Sequence, residues 1–115
     1  MIPTEARLLR IYVDADDRWQ GRPLYEVIVA RARAADVAGA SVFPVEMSYG
    51  SHRHIHDTAS DYGFVDLPVV IEVVDAPGRV DALLAELGAM LGGSVATVRP
   101  VRVVRYAHAD PGAES

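Results

Sequence analysis

The chain has 115 residues, of which 50% are hydrophobic and 23% charged, with a formal net charge of −5. This is the composition of one globular domain, 1–115, with one core, and no apolar run is long enough to insert into a membrane. The absence of cysteine and lysine excludes disulfides, thiolate metal sites and Schiff-base chemistry, and the acidic balance argues against nucleic acid as a partner.

The first half of the chain predicts a strand, a helix and a second strand. Apolar and polar residues alternate in 7–13, which is typical of a strand. A turn-like stretch follows, and Pro23 is placed for the first turn of a helix that runs to about Asp36. Residues 40–47 are apolar and β-branched enough for the second strand.

A polar stretch, 48–66, comes next and is much longer than a connection between neighbouring strands needs. It contains three histidines at alternate positions, His52, His54 and His56. Long loops in compact domains are often functional, so this stretch is the first candidate for a functional segment.

The second half predicts a strand, a helix and a strand again. Residues 67–74 form a nearly continuous β-branched run whose two faces must both be largely buried. Asp75 is placed to cap a helix, and Gly92 and Gly93 end it. The apolar stripe of that helix consists of Val80, Leu83, Leu84, Leu87 and Leu91.

The last strand is predicted over 95–106, and the tail 107–115 is expected to be mobile. Pro100 cannot donate a ladder hydrogen bond, which predicts an edge strand or a bend. The element order is therefore βαββαβ. It indicates an α+β, ferredoxin-like fold in which two helices cover one face of a four-stranded antiparallel sheet.

This fold leaves one face of the sheet without helices, although the third strand is apolar on both sides. A large exposed apolar face is unusual on a monomer. The sequence therefore predicts a closed homo-oligomer that buries this face.

The chain resembles the PII-like signalling proteins, in particular their group labelled a domain of unknown function. The likeness covers about 7–106. It is carried by Leu-Arg-Ile-Tyr at 9–12, Gly-Arg-Pro-Leu-Tyr at 21–25, Ala-Gly-Ala-Ser-Val at 38–42, Tyr-Gly at 49–50, His-Asp-Thr-Ala at 56–59, Asp-Leu-Pro-Val-Val-Ile-Glu-Val-Val-Asp at 66–75 and Arg-Val-Val-Arg-Tyr at 102–106.

The resemblance implies a cytoplasmic, non-enzymatic sensor that forms a homotrimer with its sheets facing inward. It also implies that 48–66 is an effector loop, which responds to a metabolite bound between subunits and then contacts a protein partner. The partner is unidentified; a membrane transporter is one candidate. No required cofactor is expected. The N-terminal residues do not read as a signal peptide, in agreement with a cytoplasmic location.

Carried over from the family, the ligand-binding positions are Tyr49, Gly50, His52, Gly92, Gly93, Arg102 and Arg105. The family's next arginine falls on Ala107, and its loop lysine has no counterpart. The resemblance therefore implies a smaller adenine nucleotide, AMP or ADP, rather than ATP. The alternative for the two arginines is a solvated strand edge or an ion pair between subunits.

The alternating histidines support a second hypothesis. In an extended segment, His52, His54 and His56 would point the same way, and imidazole suits zinc, copper or nickel. The chain would then be a trimeric divalent-metal-binding protein that resembles the copper-tolerance proteins of this fold. Solvated or ligand-binding loop histidines are the alternative.

Two weaker candidates and one exclusion remain. Tyr62 lies where some PII proteins carry a tyrosine that becomes nucleotidylated, although its surroundings differ.

The acidic turn at 14–17 could hold a hard cation, but a solvated turn is the simpler interpretation. No catalytic constellation is found: the serines lack a nucleophile context, and the acylphosphatase chemistry known on this element order needs an asparagine, which the chain does not contain.

Overall fold

A computed structural model of the chain describes residues 3–45, 47–49, 55–57 and 68–107, with only the backbone for 47–49 and 55–57. The strands are β1 (Glu5–Asp14), β2 (Arg18–Trp19), β3 (Arg22–Pro23), β4 (Ala40–Pro44), β5 (Met47–Tyr49), β6 (Ile55–Asp57), β7 (Pro68–Asp75) and β8 (Val95–Arg102). The helices are α1 (Leu24–Ala34) and α2 (Pro77–Leu87), and a 3-10 turn, Gly88–Met90, follows α2.

The main sheet has four strands in the order β4-β7-β1-β8, and all three pairings are antiparallel. Strands β7 and β1 occupy the centre, while β4 and β8 are the edges. This arrangement confirms the ferredoxin-like βαββαβ fold, and it places the strand that contains Pro100 at an edge, as predicted.

Both helices pack on one face of the sheet and build the core there. The odd-numbered apolar residues of β1 and β7 face the helices because side chains alternate along a strand. From α2, three of the predicted stripe residues are essentially buried: Val80, Leu83 and Leu87. The core consists of Leu9, Ile11, Val13, Leu24, Val27, Ile28, Ala32, Val69, Ile71, Val73, Val80, Leu83, Leu87 and Met90.

The connection between β1 and α1 differs from the prediction. It contains a two-stranded hairpin, β2–β3, whose turn residues Gln20 and Gly21 both have positive φ, 51° and 83°. A turn with two positive φ values matches the twist of a short hairpin. Pro23 ends this hairpin and precedes the helix, so the placement of Pro23 inside the first helical turn was wrong.

Asp75 is nearly completely buried, but it does not cap α2 as predicted. The residue before the helix, Ala76, makes no side-chain capping bond. Asp75 Oδ1 instead accepts the Ala76 N–H at 2.7 Å, and Oδ2 accepts the Ala38 N–H at 2.9 Å. Arg79 Nη1 lies 3.9 Å from the same carboxylate and donates to the Asp36 carbonyl at 2.7 Å. The carboxylate therefore joins the start of α2 to the loop after α1.

The second and last strands also have boundaries that differ from the prediction. The predicted second strand is interrupted after Pro44, and the predicted loop 48–66 contributes residues to a small hairpin in which β5 pairs with β6. The last strand ends at Arg102 instead of Tyr106. Its continuation is irregular, although the Val103 N–H still donates to the Thr4 carbonyl at 2.7 Å.

Candidate functional site

The two glycines of the predicted ligand site form the turn that leads into β8. The Ser94 N–H donates to the Leu91 carbonyl at 2.8 Å and closes the turn. Gly93 has φ of +81°, a conformation that favours glycine. The turn therefore exposes backbone without a side chain beside the end of the sheet where β1 finishes, because Val95 pairs with Tyr12.

The base of the predicted effector loop lies at this same end of the sheet. Strand β4 runs antiparallel to β7, and its last residue, Pro44, pairs with Val69. Val69 in turn pairs with Val13, near the end of β1. The chain therefore leaves the sheet toward Tyr49 at the end that also holds Gly92 and Gly93.

The two arginines lie at the opposite end of the sheet. Arg102 is the last residue of β8 and pairs with Glu5, at the start of β1. Arg105 was predicted on the last strand, but it lies beyond that strand, in the irregular segment 103–107. Strand β8 has eight residues, so at about 3.3 Å per residue it separates the glycine turn from Arg102 by roughly 25 Å.

One copy of the chain therefore does not bring the predicted ligand residues together. A small nucleotide cannot contact both the glycine turn and Arg102 across that distance. The described ligand residues divide into a glycine half at one end of the sheet and an arginine half at the other.

Several predicted site residues fall outside the described residues: Gly50, His52, His54 and Tyr62. His56 lies on β6, where its backbone pairs with Ser48 of β5. The extended conformation needed for alternating histidines is therefore present at His56, and the metal and modification predictions remain predictions.

The acidic turn after β1 brings three carboxylates together. Ligand oxygens of Asp14, Asp16 and Asp17 lie within 4.8 Å of one another. Within the turn, the Asp14 N–H donates to the Asp17 side chain (Oδ2) at 2.9 Å, and the Asp17 N–H donates to the Asp14 carbonyl at 3.1 Å. The hard-cation site and the solvated turn both stay predictions.

Sequence reasoning missed an ion pair in the middle of the sheet face that carries no helix, called here the open face. Arg10 Nε donates to Glu72 Oε2 at 2.6 Å across β1 and β7. This hydrogen bond, followed by the attraction of the same carboxylate, raises the pKa of Arg10. Because the folded-state pKa of Arg10 is raised, deprotonation of its guanidinium removes the contribution of the pair to stability in strongly alkaline solution. The signal in the sequence was Glu72, a charged residue inside the otherwise apolar run 68–74, together with Arg10 inside β1.

Comparison with known proteins identifies the family. The model of a family described as DUF190, Uncharacterized ACR, matches residues 6–103. The chain belongs to the DUF190 family. A UPF0166 protein from Aquifex aeolicus is 30% identical over 98 residues, which cover 85% of this chain and 92% of that protein.

Solved structures show the same fold at low sequence identity. CPII, a nitrogen regulatory PII-like protein from Thiomonas intermedia bound to ADP, AMP and bicarbonate, has a TM-score of 0.68 at 17% identity, covering 88% of this chain and 90% of CPII. A PII-like signalling protein from Thermus thermophilus has a TM-score of 0.66 at 16% identity, covering 90% of this chain and 94% of that protein.

CutA from Synechococcus elongatus is similar as well, with a TM-score of 0.59 at 16% identity, covering 89% of this chain and 81% of CutA. Likeness at this level of identity describes the fold alone. The DUF190 chain therefore has a PII-like fold, as the resemblance implied. Across the described residues, neither helix is long and apolar enough to span a bilayer.

Proposed function

We propose that this DUF190 protein is a non-enzymatic, cytoplasmic PII-like sensor that binds an adenine nucleotide in clefts between subunits of a homotrimer. The ligand groups are Gly92 and Gly93 with Tyr49, Gly50 and His52 from one copy, and Arg102 and Arg105 from its neighbour. The loop 48–66 reports the bound state to a protein partner, for which a membrane transporter is the candidate.

The observation that carries this proposal is the separation of the two halves of the site. The glycine turn and the arginines lie at opposite ends of β8, which supports a site that a second copy completes. Backbone N–H groups of a glycine turn and planar guanidinium groups are both suited to phosphate oxygens. The adenine nucleotides in CPII, which shares the fold, support the choice of ligand.

Nucleotide titration tests the proposal. By isothermal calorimetry, AMP or ADP should bind the wild-type protein at micromolar concentration. In the Arg102→Ala/Arg105→Ala variant, Kd should rise by at least about tenfold, because charge-assisted hydrogen bonds to phosphate are each worth roughly 1.5–3 kcal/mol.

A matched control is Arg33→Ala, an exposed arginine in the last turn of α1, which should leave Kd unchanged. An equal loss of nucleotide affinity in both variants would indicate that positive charge acts in general, and that Arg102 and Arg105 do not form a specific binding site. The absence of heat with AMP, ADP, ATP and cyclic nucleotides would overturn the nucleotide proposal.

The alternative is a divalent-metal-binding trimer in which His52, His54 and His56 are the ligands. Its support is the fold shared with CutA and the extended backbone at His56. On this alternative, zinc or copper should bind with at least about tenfold higher affinity to the wild-type protein than to the His52→Ala/His54→Ala/His56→Ala variant in calorimetric titrations. Identical titrations of the two proteins would remove the metal hypothesis.

A further inference from the structure

The open face has a pattern of rows that the proposed function does not use. Residues paired across an antiparallel sheet share a face, so the register defines rows perpendicular to the strands. One row contains Ser41, Glu72, Arg10 and Thr97, one residue from each of the four strands. It is polar along its whole length and is called here the polar row.

The row beside it is hydrophobic except for the hydroxyl of Tyr12, which interacts with Arg10, and it is called here the apolar row. It consists of Phe43, Val70, Tyr12 and Val95. Its two edge residues are the most exposed, Phe43 at 48% and Val95 at 53%. On the other side of the polar row, Leu8 and Val74 are apolar too. None of these residues belongs to the core under the helices.

The charges of the open face balance, although the whole chain carries −5. By their positions in the strands, Arg10 and Arg99 share this face with Glu72 and Asp14. A surface without net charge lets two copies of an otherwise negative molecule approach through it without repulsion. The occupant that fits the open face is therefore a second copy of this chain.

We propose that the polar row fixes the register in which copies of this chain pack through the open face. This inference rests on the homo-oligomer of the proposed function. Apolar contacts are not directional and permit sliding. A copy shifted toward the apolar row would press the Arg10–Glu72 pair against side chains whose one polar group is the Tyr12 hydroxyl. A desolvated charge pair with so few polar partners is disfavoured.

The ends of the polar row fit this role. Ser41 lies on the edge strand β4 and Thr97 on the opposite edge strand β8, so the row ends in a hydroxyl at each edge. A hydroxyl both donates and accepts a hydrogen bond. When the β4 edge of one copy faces the β8 edge of the next, the row continues into the neighbour, and such head-to-tail contacts close into a ring.

The test replaces the Arg10–Glu72 ion pair and measures the mass of the assembly in solution. Arg10→Met/Glu72→Met removes the charges and keeps the bulk, and light scattering with sedimentation velocity should then show several assembly sizes in place of one. Arg10→Met alone leaves Glu72 unpaired, so the concentration of half-dissociation should rise by at least about thirtyfold.

The control is Arg31→Met/Glu86→Met. That pair links α1 and α2 at 3.6 Å, and its arginine has the same 41% side-chain exposure as Arg10. This variant should have the wild-type mass. If the Arg10→Met/Glu72→Met variant loses its circular dichroism, Thr97→Val decides instead: it changes the exposed end of the row, and it should raise the half-dissociation concentration severalfold.

The two possible failures are distinguishable. A single assembly with wild-type mass and dissociation in the ion-pair variant, or in Thr97→Val when that variant decides, would overturn the register proposal and leave the oligomer standing. A wild-type protein that is monomeric at micromolar concentration would overturn both.

Discussion

Replacing Asp75 with alanine is expected to lower the free energy of unfolding by about 3–5 kcal/mol. The carboxylate is 2% exposed and accepts backbone N–H groups from Ala38 and Ala76. Alanine would leave both donors without an acceptor in a buried place, and Arg79 would lose its nearest acid. Urea unfolding followed by circular dichroism measures the change, which should also lower Tm by roughly 10–20 °C.

Asp81→Ala is the matched control. Asp81 pairs with Arg7 at 3.1 Å, but its side chain is 64% exposed. An ion pair at the surface contributes less than about 1 kcal/mol, so this variant should be close to wild type. Asp75→Asn, which keeps one carbonyl oxygen, should fall between the two. A Tm for Asp75→Ala within about 3 °C of wild type would contradict the assigned role of the carboxylate.

Phe43→Ser is expected to weaken the proposed homo-oligomer while leaving the fold of the protomer intact. Phe43 is 48% exposed on the open face, at the edge strand β4. Burial of the exposed half of its ring against a neighbouring copy is worth about 0.7–1.5 kcal/mol for each contact. Loss of that contact should raise the concentration of half-dissociation by about three- to tenfold, as measured by sedimentation velocity.

The neighbouring residue supplies the control. Val42 is 37% exposed but pairs with Ile71 of the core, so it faces the helices. Val42→Ser should slightly lower the free energy of unfolding of the protomer and leave the concentration of half-dissociation unchanged. An equal loss of association in the two variants would place the contact at the edge of β4 rather than on the open face.

Local patterns predicted the elements well where periodicity was strong. The helical spacing of Val80, Leu83 and Leu87 identified α2 and its buried side, and the β-branched run identified β7. The hairpin β2–β3 was missed because Gln20 with φ of 51° is not a common turn signal. The pairing of β5 with β6 was missed because three-residue strands inside a polar stretch carry almost no periodicity.

The residues of the candidate site were carried over from the family resemblance and stay a prediction, but the structure corrects the position of one of them. The run 95–106 predicted that both arginines lie on one strand. The structure ends that strand at Arg102 and leaves Arg105 beyond it. Strand ends depend on the partner strand: β1 begins at Glu5, which pairs with Arg102, so the ladder ends there.

By itself, the sequence determined the fold class and the order of the main elements. These depend on local spacing and composition, which act within a few residues of one another. Only the tertiary structure decided that the glycine turn and Arg102 lie at opposite ends of β8, and that Arg10 and Glu72 meet in a polar row. Both depend on strand pairings between residues far apart in the chain, which no local period encodes.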